Sequence, residues 1–130
     1  MLDPGDRPER TEISIDTAVV DRAAERAGVE ESALLDALVV LHAELIGLHG
    51  QYERAYDYVT VGGTRAYRVD GIVWEELLGE FDLDDAVGTA ARFAHTEQAR
   101  LLFESSVRGN DRFESEQAGI VIGVDTAEQF

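Results

Sequence analysis

The spacing of apolar residues changes several times along the chain, and each spacing predicts an element. Residues 1–11 are polar, hold Pro4 and Pro8, and are expected to form a flexible N-terminal segment. Val19, Val20, Ala23, Ala24 and Ala27 then recur at three- and four-residue steps. Asp16 stands where an N-cap belongs and Gly28 where a left-handed C′ residue belongs, so a helix is expected between them. A second helix opens with Glu30 and Glu31, whose charges suit the positive end of its dipole. One of its stripes is Leu34, Leu38, Leu41, Leu45, Leu48 and Tyr52; the adjacent one is Leu35, Val39, His42, Ile46 and His49. Its third side is small: Ala33, Ala37, Val40, Ala43, Gly47 and Gly50. Glycine in a helix interior costs about 1 kcal/mol relative to alanine. Gly47 and Gly50 therefore predict either a close backbone approach or a kink or stop near Gly50. A helix apolar nearly all round is buried, as the central helix of the domain or as the seam of a dimer.

"YDYVTVGGTRAYRVDG" changes the period from helix to strand. Two runs rich in valine, tyrosine and threonine flank Gly62–Gly63, the turn of a two-residue hairpin. That register sets Tyr58 opposite Tyr67, Tyr56 opposite Val69, and Asp57 opposite Arg68 as a cross-strand charge pair. "VWEELLGEF" predicts a short helix presenting Trp74, Leu77, Leu78 and Phe81. Asp84 and Asp85 open a last long helix to about Val107, and "GIVIGV" predicts a short strand that adds to the hairpin edge or stays a loose tail. The expected class is α+β, mainly α: about four helices, a central two-stranded β-hairpin at about residues 56–70, and a short C-terminal strand. One compact domain is expected over residues 12–108, followed over 109–130 by a polar connection and a tail or short strand.

Charge changes the picture of the solvent rather than of the fold. There are 27 acids against 11 bases, a formal charge of −16, and every base is arginine. A chain 45% hydrophobic is not a disordered acidic tail. This composition resembles that of proteins from extreme halophiles, where the Debye length at about 1 M salt is roughly 3 Å and acid–acid repulsion is screened. In dilute buffer that repulsion opposes compaction, so stability is expected to rise with KCl. The chain also resembles, in composition and general style, the small uncharacterised haloarchaeal domains of unknown function, a likeness that transfers no site residues. With no cysteine, disulfides and thiolate chemistry are excluded. No 18-residue uninterrupted apolar run and no apolar secretory core occur, so no membrane association and a cytoplasmic location are expected.

The corner at Gly28 resembles the helix-turn-helix family over Val20 to Val39, through Ala24, Gly28, Val29 and Leu34. That resemblance implies a second helix packed back through Leu34. DNA reading would also require donors on that helix. Between Arg26 and Arg54 there is no arginine or lysine, and Glu30, Glu31 and Asp36 occupy the outward positions. Nucleic acid is therefore not an expected partner. A winged-helix-like DNA-associated regulator, with Arg65 and Arg68 on the hairpin, is kept as the alternative.

Side-chain chemistry is sparse. His42 and His49 stand two turns apart, roughly 10.5 Å along one helix, too far to share an ion at bond lengths near 2 Å. His49 with Glu53 is the closest pair, and no metal, cofactor or catalytic residue is expected. Glu75–Glu76 and Asp84–Asp85 read as solvated charge. Aromatic and arginine residues are enriched at binding patches. Tyr56, Tyr58, Arg65, Tyr67 and His95 are accordingly the candidate ligand or interaction patch, with Tyr52 and Trp74 nearby in sequence. The breadth of the apolar helix points to self-association through Leu34, Leu38, Leu41, Leu45 and Leu48. The expected function is a non-enzymatic interaction or regulatory module that pairs with itself as a homo-dimer or with another protein. A small ligand binder or enzyme using the hairpin tyrosines and His95 is the further alternative.

Overall fold

The computed structural model describes residues 13–106, 113 and 116–123. Helix α1 spans Thr17–Ala27 and α2 Glu31–Ala55; strands β1 (Asp57–Val61) and β2 (Thr64–Asp70) form the hairpin. Helix α3 (Gly71–Leu78), helix α4 (Asp85–Ser105) and strand β3 (Gln117–Gly123) complete the order. The fold is α+β, mainly α, with three antiparallel strands ordered β1-β2-β3.

Gly28 adopts φ 70° and ψ 37°, and it closes α1 as a Schellman cap. Its N–H reaches the Glu25 carbonyl at 3.2 Å, and the Val29 N–H reaches the Ala24 carbonyl at 3.0 Å. Leu34 then packs back into the core, fully buried. Helix α2 continues through both internal glycines for 25 residues, so no stop occurs near Gly50. Close approach is not their reason either. A Cβ at Gly47 would meet nothing within 4 Å, and one at Gly50 only Arg54 Nη1 at 3.9 Å. The helix survives both residues because its leucine stripe is held by tertiary packing, which outweighs local propensity.

Gly62 and Gly63 take φ of 57° and 82°, as a type I′ turn requires. Tyr58 pairs with Tyr67 and Asp57 with Arg68, in the expected register. The ladder stops there: Tyr56 does not face Val69, because its N–H still closes the last turn of α2 on the Tyr52 carbonyl at 2.9 Å. Successive β2 side chains alternate between faces. Tyr67 meets Tyr52 of α2, and Arg68 lies over Phe103 of α4 on the other side.

Strand β3 adds to the free edge of β2, with Tyr67 opposite Ile120 and Ala66 opposite Val121. Residues Ala118 to Gly123 are all buried, which explains a continuous apolar run where a half-exposed strand would alternate. Its outer edge pairs with no strand; side chains cap it instead. The Gly119 N–H donates to Thr96 Oγ1 at 3.0 Å, the Val121 N–H to His95 Nδ1 at 3.1 Å, and the Gly123 N–H to His42 Nε2 at 3.3 Å. Trp74 Nε1–H donates to the Gly119 carbonyl at 3.0 Å. Three helices thus supply the partners that a fourth strand would have supplied. Gly119 is needed for this: a Cβ there would sit 2.4 Å from that of Ala99.

Candidate functional site

The four tyrosines form one run of contacting rings. Tyr56 meets Tyr52 at 5.9 Å, Tyr52 meets Tyr67 at 5.8 Å, and Tyr67 meets Tyr58 at 5.6 Å between centroids. Tyr56, Tyr58 and Tyr67 do lie together with Arg65, with Tyr67 buried and the other three partly exposed. Tyr67 is 0% exposed, and its hydroxyl donates to the His49 carbonyl at 3.0 Å. Burial raises its pKa, while the adjacent Arg65 guanidinium pulls it back down. Arg65 is occupied: it pairs with Glu53 at 3.2 Å, donates to Thr60 Oγ1 at 3.0 Å and lies 4.4 Å over the Tyr58 ring. Arg68 is likewise paired, with Asp57 at 2.8 Å. Neither hairpin arginine is left to meet a phosphate.

His95 lies apart from the tyrosines. It belongs to the cap of β3, with its ring 5.2 Å from Trp74, and burial together with nearby His42 pulls its pKa down to about 3. Its Nδ1 accepts the Val121 N–H, so the neutral ring carries its proton on Nε2. Trp74, expected near a ligand groove, is fully buried in that same layer. The leucines expected to self-associate are covered by the chain itself. Leu34, Leu38, Leu41 and Leu45 are each 0% exposed, and they offer no surface to a second copy. Leu48 is half-buried. By length and composition α2 could cross a membrane, but here its stripe is spent on the core. No group of three or more metal-ligating side chains occurs among the described residues.

The open end of the tyrosine run borders a groove between α2 and α3, with a cavity of ≈ 220 Å³. On the α2 side Glu44, Leu48, Tyr52 and Ala55 follow one helical stripe, and Tyr56 ends it. On the other side stand Val73, Glu76 and Leu77 of α3, with Glu80 in the turn just after it. Tyr52 is 6% exposed, and among the described residues its hydroxyl has no hydrogen-bond partner. It is not sealed in, since the one enclosed unpaired side-chain atom among the described residues is His49 Nδ1; the hydroxyl opens into the groove. Burial pushes the Tyr52 pKa up to about 12, helped by Tyr56 and by the negative charge of Glu44, Glu80 and Glu76. Among the described residues, none of these three glutamates has a basic partner.

Sequence reasoning found Tyr52 and Tyr56 but missed the glutamates opposite them. Glu76 reads as solvated charge beside Glu75, and it is exposed. The available signal was its stripe: Val73, Glu76 and Leu77 share one helix side.

This architecture defines a small mainly helical module with a side-chain-capped sheet and one acidic, tyrosine-lined groove. The chain belongs to the family described as Domain of unknown function (DUF8048), whose model matches residues 13–124. No curated protein and no solved structure matches it.

Proposed function

We propose that the domain is a cytoplasmic, non-enzymatic interaction or regulatory module that works by binding, and that the α2–α3 groove is its binding site. The observation that carries this is Tyr52: the residue is more than nine-tenths buried, and its hydroxyl, without a hydrogen-bond partner among the described residues, opens to a cavity of ≈ 220 Å³. A hydroxyl that opens into a cavity keeps its hydrogen-bonding capacity for an incoming group. At a concave site such a group is set up to bond a ligand. Catalysis is not supported. The His95 and His42 rings serve the sheet edge, and among the described residues no serine, threonine, cysteine or histidine lines the groove.

Methyl NMR of Leu48, Val73 and Leu77 against a set of small cationic, neutral and anionic compounds tests the reading. Saturable shifts confined to these residues are expected. Their absence with every compound, or shifts only at the hairpin tip, would overturn it.

A further inference from the structure

We infer that the α2–α3 groove takes a small linear organic polycation bearing N–H donors, a diamine or triamine, with Tyr52, Tyr56, Glu44, Glu76 and Glu80 as its contacts. This assignment rests on the groove being the binding site and adds the class of its ligand. Three features of the groove carry it.

Its charge has one sign. Glu44, Glu76 and Glu80 line the cavity, no arginine or histidine does, and these carboxylates lack basic partners among the described residues. A neutral or anionic guest would leave that charge uncompensated.

The carboxylates are spread. They do not converge as a cation-ligating set, since no such set of three exists among the described residues. A cavity of ≈ 220 Å³ also holds a molecule of several heavy atoms rather than one bare ion. Spaced anionic groups around an elongated guest call for spaced positive charges on it.

The walls select N–H. Tyr56 is half-buried and its ring borders the groove, so a cation can meet it while the Tyr52 oxygen accepts a hydrogen bond. A primary or secondary ammonium satisfies that oxygen and a carboxylate together. A quaternary ammonium can satisfy the rings only.

The test is calorimetric titration of the full chain with 1,4-diaminobutane and with spermidine, in molar KCl. One-to-one saturable binding is expected, weakened about tenfold by Glu76→Gln, since a charge-assisted contact is lost. Tyr52→Phe, which keeps the ring, is expected to weaken it about threefold to fivefold. The fully N-methylated analogue of the diamine, with equal charge and no N–H, is expected to bind at least about tenfold more weakly. Equal responses from both variants and the native chain, or a MgCl₂ response matching the diamine's, would overturn the assignment in favour of a diffuse acidic field. Binding of a tri-lysine peptide with none of the free diamine would overturn it in favour of a protein partner. Methyl shifts at Leu48, Val73 and Leu77 from a neutral compound, with none from the diamine, would overturn the cation class but leave the groove as the binding site. No shifts with any compound would remove both.

Discussion

The outer edge of β3 and the α2–α3 groove treat buried polar groups in opposite ways. At the edge, three backbone N–H groups and one carbonyl each meet a side chain drawn from a different part of the chain. In the groove, the Tyr52 hydroxyl opens into a cavity and has no protein partner among the described residues. The fold evidently can pair such groups; besides the enclosed His49 Nδ1, the Tyr52 hydroxyl is left without a protein partner, and it faces the groove. The edge is built for stability, and the groove holds a bonding capacity in reserve.

The edge should be the easier of the two to break. Gly119→Ala places a Cβ 2.4 Å from that of Ala99, between strand and helix backbones that cannot give. A loss above about 3 kcal/mol is expected, read as the urea midpoint in molar KCl. A normal midpoint would mean that β3 does not dock as described.

Acid attacks the same edge through His95. Its pKa is about 3 in the folded protein and 6.5 as the ordinary value, so the unfolded chain binds more protons between those limits. The contribution is complete above about pH 6.5 and declines as pH falls toward 3. At pH 5 the loss is about 2 kcal/mol. His95→Gln keeps an acceptor that does not titrate. Its stability is lower at neutral pH, but the native-minus-variant difference is expected to shrink by that amount between pH 7 and 5. A constant difference would show that His95 is not the responding group.

A paired substitution compares the two regions' tyrosines directly. Tyr67→Phe deletes a hydroxyl bonded to the His49 carbonyl and should cost about 1 kcal/mol. Tyr52→Phe deletes one without a partner and should cost about 0 kcal/mol in the free protein. Equal costs, measured by thermal melts, would mean that Tyr52 is bonded in solution and the groove holds no reserve. The smallest effect lies on the outward side of the groove's own helix. Gly47→Ala meets no atom within 4 Å and should stabilise by about 0.8 kcal/mol. It should leave diamine affinity unchanged, separating helix stability from groove chemistry.

What could be read in advance follows how local each determinant is. Gly62–Gly63 and the Asp57–Arg68 pair settle the hairpin register within a dozen residues, and Gly28 settles the corner within six. "AGIVIG" has no period, since both of its faces are covered, so its spacing alone fits a strand of the sheet and a loose tail equally. The groove lay further out of reach. Tyr52 and Glu76 become neighbours only because the hairpin returns the chain to α2, and no spacing within either helix records that. His95 joined the tyrosines on residue type alone. Its actual partner is a strand edge formed some 26 residues later.

The pairing of β2 with β3 also bears on how the molecule is assembled in time. Thr64 waits for Gly123, and Asp70 for Gln117. The hairpin can close as soon as it is made, but its second ladder and the histidine acceptors of α2 and α4 stay idle until the last strand arrives. Contacts this distant in sequence slow folding. A chain halted before Gln117 would expose the open edge of β2 and the apolar surfaces meant for Ile120, Val121 and Ile122. The sheet is therefore completed only when β3 docks, and synthesis interrupted before Gln117 should yield an aggregating fragment rather than a smaller stable fold.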